Sequence, residues 1–287
     1  MVFVFQKISD VENPSPIVAR LGIQTADLVK WLEVPEETRD AIRKLYFFTL
    51  PQKLIHCRGL RNNIIEKMNE YISSVKLEGS NQSAQLPYIQ GLDNFCHNFL
   101  YEFKNYVRDV ISIINLVFGT KFIDGSDIVD LRKGGKSKVE IWAENNFGPD
   151  DHLTKMLSKE AEWAAEFIKA RNAVEHPGGY SGTLTVTNVR RITAMGGAIV
   201  PPTWQRTGRP ETDVLADMEV TLDNMLTFAE DLLAELVLKK PTSKGIEIYL
   251  IAEKERDPIC PIRLKVGPNR EILEKIEQMQ QYAGKPG

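Results

Sequence analysis

Leu92, Phe95, Cys96, Phe99, Phe103, Tyr106, Val107, Val110, Ile113, Ile114 and Val117 recur at intervals of three and four residues. That interval places them on one face of a helix of about seven turns. Asn94, Asn98, Glu102, Asn105 and Asp109 fall mostly off the stripe. A helix this long with one apolar face needs other helices to cover it, so the stripe predicts a helical bundle. Gly119 ends it.

Two more stripes supply partners. Leu153, Met156, Leu157, Ala161, Ala164, Phe167 and Ile168 follow a cap at Asp150 or Asp151. Leu215, Met218, Leu222, Met225, Leu226, Ala229, Leu232, Leu233 and Leu236 run up to Pro241. Upstream, Pro35-Glu36-Glu37 opens a helix carrying Ile42, Leu45, Tyr46 and Thr49 on one side. Pro51 is expected to break or kink it, with a further helix over residues 52–75. Shorter helices are expected at 25–31 and 138–145. The period changes at residues 182–187, which alternate like a strand, with either 190–193 or 198–200 as its partner. Pro201-Pro202 and Gly208-Arg209-Pro210 read as loops. Residues 246–251 and 262–266 offer two short strands, and a last helix runs from 270 to about 282.

The expected fold is therefore mainly α: a helical bundle with extra N-terminal helices and small β-hairpin additions. Three regions are expected. They are an N-terminal helical region over 1–85, the bundle over 86–240 with a β insert at about 182–200, and a β-hairpin plus helix over 241–287.

Charge and cysteine content narrow the function classes. A net charge of -3 argues against an obligate, nonspecific nucleic-acid binder, and no DNA partner is expected. It leaves room for an enzyme that meets RNA in one local pocket. Cys57, Cys96 and Cys260 are far apart and odd in number, which supports no disulfide framework and fits a reducing cytoplasm. The apolar start Met1-Val2-Phe3-Val4-Phe5 is too short for a signal peptide, and no apolar run reaches the ~18 residues of a membrane span. His56-Cys57 and Cys96-His97 are adjacent pairs whose side chains point about 100° apart on a helix, so neither chelates a metal by itself. No metal and no cofactor are expected.

The chemistry concentrates in Arg171-Asn172-Ala173-Val174-Glu175-His176, followed by the helix stop Pro177-Gly178-Gly179. Arg171 comes three residues after Ile168 and continues the apolar stripe, so its charge needs a partner. On an ideal helix Arg171 and His176 lie about 140° apart, so they converge only through a distorted last turn or a second molecule. Metal-free RNA cleavage needs a base for the ribose 2′-hydroxyl and a cation for the charge that builds on phosphorus. Histidine suits the first task and a guanidinium fork the second. Asn172 can donate to phosphate, and Glu175 can orient the imidazole or pair with Arg171 one turn away. The alternative is an Arg and a His that merely cap a helix C-terminus, where cations are favoured.

Arg-Asn-x-x-x-His at the end of a bundle helix resembles the signature of the HEPN family, and residues 86–240 are the HEPN-like part of the chain. The resemblance implies a HEPN-like bundle and a metal-independent endoribonuclease of a defence or toxin system. Arg171 and His176 would be the catalytic residues, supported by Asn172 and Glu175. It implies a homodimer with the two motifs facing each other, for which a stable interface buries about 1,200–2,000 Å² or more. Many members are catalytically silent, so a non-catalytic RNA- or nucleotide-binding or scaffold protein is the alternative; a purely structural helical protein is a third reading. One branch carries a modifiable tyrosine two positions after the histidine; here Gly178 stands there, which leaves that modification outside the resemblance.

Arg132-Lys133-Gly134-Gly135-Lys136-Ser137-Lys138 has the residue types of a phosphate-binding loop, but the full pattern needs glycine where Asp130 stands. It reads as a solvated basic loop, with Arg132, Lys133 and Lys136 as candidate RNA contacts.

Overall fold

The structure, a computed structural model, describes residues 16–77, 88–129, 135–192, 198–270 and 272–275. Residues 16–31 form helical turns. Six longer helices follow: α1 (Glu36–Lys44), α2 (Leu50–Leu77), α3 (Leu92–Phe118), α4 (Lys138–Phe147), α5 (His152–Glu175) and α6 (Val214–Lys239). The strands are β1 (Leu184–Thr187), β2 (Arg190–Ile192), β3 (Ala198–Val200), β4 (Thr203–Arg206), β5 (Thr212–Asp213), β6 (Ile246–Leu250) and β7 (Leu264–Pro268). The chain is mainly helical with small antiparallel additions. Among the described residues no helix is long and apolar enough to cross a membrane. Arg270 and residues 272–275 are helical; the rest of the expected last helix lies outside the described residues.

Pro51 does not break its helix. α1 passes into a π-helical turn at Leu45–Thr49, and α2 begins at Leu50 without interruption. A proline ring collides with the carbonyl four residues back and supplies no amide of its own. The wider π turn just before it takes up the misfit, and a π turn is one of the few ways a helix absorbs such a residue.

Two compact units are present. The first takes residues 1–52, 112–121 and 228–287, and the second residues 53–111 and 122–227. In the first unit Ile42, Tyr46 and Leu50 are buried, and the Tyr46 hydroxyl donates to Ala229 O at 2.7 Å. Lys240 donates to Val117 O at 2.9 Å and lies over the Phe118 ring, a cation at the negative end of α3. β6 and β7 pair antiparallel, Ile248 opposite Val266.

The same unit buries Glu230, which is 1% exposed. Its carboxylate accepts from Arg20 Nε at 2.9 Å, Gln24 Nε2 at 3.0 Å and Arg263 Nη1 at 3.1 Å. Gln24 Oε1 in turn accepts from the amides of Arg263 and Leu264 at 2.6 and 2.7 Å. Arg263 also reaches Asp231 at 2.6 Å. Burial pushes the Asp231 carboxyl above the usual carboxylate range despite that guanidinium.

The second unit holds the motif. Phe99, Phe103, Tyr106, Val107 and Val110 of α3 are buried as the stripe requires. The Tyr106 hydroxyl donates to Met225 O at 2.9 Å, and Arg61 of α2 pairs with Glu219 at 2.9 Å, both on α6. β1 pairs with β4 and not with 190–192 or 198–200; those two pair with each other as β2 and β3, and residue 193 lies outside the described residues. The β region therefore reaches beyond the expected 182–200, because residues 203–206 and 212–213 form a three-stranded sheet in the order β1-β4-β5. Asn188 clasps this region to the chain before α3, exchanging hydrogen bonds of 2.8 and 3.0 Å with the backbone of Ile89.

Candidate functional site

Helix α5 opens on Asp151, whose side chain accepts from Leu153 N at 2.9 Å and satisfies one of the open amides of the first turn. Leu153, Leu157, Ala161, Ala164 and Ile168 are buried along its stripe. Phe103 of α3 meets Trp163 and Phe167 of α5, with ring centroids 5.5 and 5.3 Å apart. That packing fixes the second half of α5, and with it the position of Arg171.

Arg171 continues the stripe and its side chain is only 16% exposed. The guanidinium lies over the Tyr101 ring of α3, 4.9 Å from the centroid. Glu175, one turn along, grips the fork: Nη2 donates to Oε1 at 3.0 Å and Nη1 donates to Oε2. Nη1 also reaches Asn172 Oδ1 at 3.3 Å. Nε is buried and has no hydrogen-bond partner among the described residues. The partner this charge requires is thus supplied within its own helix.

The helix ends as the sequence dictates. His176 N donates to Asn172 O at 2.9 Å, and the chain then leaves the helix at φ −130, ψ 71. Pro177 cannot continue the ladder. Gly178 N donates to Gly182 O at 3.0 Å and Gly182 N to Gly179 O at 2.9 Å, closing a tight turn into β1. Gly182 has φ +78, and a Cβ there would sit 2.5 Å from Thr207 Cβ, so the turn requires glycine at that point.

The His176 side chain is 74% exposed, and its Nε2 lies 3.5 Å from Glu175 Oε2. The same Oε2 accepts from Arg171 Nη1. The divergence of an ideal helix is therefore overcome without a distorted last turn: α5 stays α-helical through Glu175, His176 steps off it, and Glu175 gathers both groups. Arg171, Asn172, Glu175 and His176 form one cluster, with its imidazole in water and its guanidinium neutralised.

Of the basic loop, Arg132 and Lys133 lie outside the described residues. Lys136 is exposed and pairs with Glu144 at 2.5 Å rather than with the motif, a contact worth little in water. Cys57 and Cys96 are buried. Burial pushes both thiols up, Cys96 to about 12, which leaves them as packing groups. Among the described residues no three His, Cys, Asp or Glu side chains stand together as metal ligands.

A second feature escapes the sequence pattern. Helix α5, the strands β1, β4 and β5, the loop at Arg209-Pro210 and Asp217 of α6 line an open pocket of about 370 Å³. Phe167 and Trp204 wall it, their rings 6.0 Å apart and edge to face. Glu166 accepts from Arg206 at 2.9 Å and pairs with Arg209. Burial alone would raise the Glu166 carboxyl, but the two guanidiniums outweigh it and hold it below the usual range. At the Trp204 end, Asp217 Oδ2 accepts from Trp204 Nε1 at 2.7 Å and Thr212 Oγ1 at 2.6 Å. The one signal in the sequence was Trp204-Gln205-Arg206, whose alternation sends the first and third side chains to the same face of a strand. No protein-family model, no curated protein and no solved structure matches the chain.

Proposed function

We propose that the chain is a HEPN-like, metal-independent endoribonuclease with Arg171 as phosphate clamp and His176 as base. The observation that carries this reading is the shared carboxylate, which brings a solvent-facing imidazole and a guanidinium together at one helix end. His176 takes the proton from a ribose 2′-hydroxyl, and the freed oxygen attacks the adjacent phosphorus. The phosphate displaces Glu175 from Arg171, whose fork holds the charge on the non-bridging oxygens. The bond to the 5′ oxygen breaks, and that oxygen takes a proton from water or from the imidazolium of a paired chain. Cleavage should therefore persist in EDTA and leave 2′,3′-cyclic phosphate and 5′-hydroxyl ends, read by end-labelling. Loss of cleavage on chelation, with rescue by Mg²⁺, would overturn the metal-free reading.

The homodimer belongs to the same proposal, on a narrower footing. Arg171 already has a partner in its own chain, so an interface is not needed to neutralise it. What supports a pair is the chemistry: in-line displacement puts attacking and leaving oxygens on opposite sides of phosphorus. A two-fold partner would bring a second His176 to protonate the leaving group. Light scattering at micromolar protein should give about twice the chain mass of 32.5 kDa; the mass of one chain would remove the second imidazole from the mechanism.

A non-catalytic RNA- or nucleotide-binding protein is the second reading. Glu175 favours it, because the guanidinium fork is already filled. Binding of RNA without turnover is its signature.

A further inference from the structure

The cavity beside α5 is separate in its lining from the Arg171–His176 cluster, and it has the composition of a ligand site. Its volume, about 370 Å³, falls in the range of small-molecule pockets. Its two ends differ in chemistry. At one end Arg206 and Arg209 set two guanidiniums against one carboxylate, Glu166, which leaves an excess positive charge. Arg206 is held in place, since its Nη1 also reaches Ser181 O at 3.4 Å. The Arg209 side chain is 52% exposed, which lets it swing to an incoming anion. At the other end Asp217 uses Oδ2 for Trp204 and Thr212, and Oδ1 accepts from no described residue. Between the ends stand the aromatic walls Phe167 and Trp204.

We propose that this cavity binds a base-plus-phosphate unit, a nucleoside monophosphate or the same unit within an RNA strand. The planar base lies against Phe167 and Trp204, where stacking contributes without regard to sequence. A ring N–H or exocyclic amine of the base donates to Asp217 Oδ1. The phosphate takes the place of Glu166 on the Arg206–Arg209 pair, because a phosphate fits a guanidinium fork and carries more charge than a carboxylate. The alternative occupant of that pair, Glu166 itself, acts as a competing anion in the empty site.

The inference stands apart from the Arg171–His176 reading, and binding is measured on the His176→Ala chain so that turnover does not enter. Tryptophan fluorescence and calorimetry follow titration with AMP, CMP, GMP and UMP, alongside ribose 5-phosphate and the unphosphorylated nucleosides. At least one nucleotide should saturate, with ribose 5-phosphate and the matching nucleoside about tenfold weaker or worse. Arg209→Ala should weaken that nucleotide about tenfold, while Glu166→Gln should tighten it. The opposite signs matter, since a role limited to holding β4 on α5 would make both variants less stable and neither a better binder. A 2′-O-methyl oligoribonucleotide, which resists cleavage, identifies the source. Displacement of bound mononucleotide by the oligomer at lower concentration assigns the pocket to RNA; no displacement assigns it to free nucleotide. Equal affinity for AMP and ribose 5-phosphate, absence of saturable binding by all four nucleotides, or indifference to both variants overturns the proposal.

Discussion

RNA cleavage should fall by about 10²–10⁴ when His176 is replaced by alanine, the range a positioned general base contributes. The imidazole is the most exposed side chain of the Arg171–Glu175–His176 set, 74% against 36% for Glu175 and 16% for Arg171, and Glu175 is close enough to orient it. Arg171→Ala should cost about 10²–10³, as loss of one preorganised donor to the developing charge does elsewhere. Arg171→Lys should recover little, because an ammonium cannot reproduce the fork that Glu175 now fills. Glu175→Gln separates its two parts in the site. With the carboxylate gone, phosphate meets no competing anion on Arg171, so KM for RNA should drop while kcat declines through a less well-held imidazole. Parallel single-turnover rates for the four variants check the set. Near wild-type cleavage by the Arg171→Lys chain would reduce Arg171 to a point charge.

The largest stability effect is expected far from this cluster, at Glu230. Its carboxylate is buried and holds two guanidiniums, Arg20 and Arg263, that are themselves mostly out of water. Glu230→Ala removes the buried carboxylate that both cations share, while Arg263 keeps Asp231. Breaking a buried ion pair from one side costs about 3–5 kcal/mol, largely through the charge left behind. A triple replacement with Met at 20 and 263 and Leu at 230 removes the charges together and should restore much of the loss. Urea denaturation followed by circular dichroism measures both. If Glu230→Ala shifts stability by less than about 1 kcal/mol, the network contributes no more than an exposed pair would.

What the sequence reveals of this molecule depends on how local the cause is. The α3 stripe is legible because a repeat of three and four over 27 residues admits no strand. The position of Arg171 is legible for the same reason: it extends a stripe whose buried members end at Ile168 and Ala173. Glu175 is half legible, since its pairing with Arg171 one turn away follows from helix geometry, but its reach to His176 depends on where the chain leaves the helix. The break expected at Pro51 does not occur, because the π turn before it takes up the misfit, and nothing in the residue itself announces that wider turn. β4 and β5 are hidden by Pro201-Pro202 and Gly208-Arg209-Pro210, which punctuate the stretch like loop residues. Short strands of four and two residues take their stability from pairing, β4 with β1 and β5 with β4, not from their own pattern. The Glu230 network joins residues more than two hundred positions apart, and no periodicity links Arg20 or Gln24 to their carboxylate.

The central claim is that the chain activates a ribose 2′-hydroxyl, and one comparison tests it most directly. The purified protein is given a single-stranded RNA and the same sequence as DNA, in EDTA, under identical conditions. The RNA should be cut to 2′,3′-cyclic phosphate ends and the DNA left intact, because the deoxy strand has no internal nucleophile. Cleavage of the DNA at a comparable rate, or an RNA strand that is bound but never cut, would contradict it.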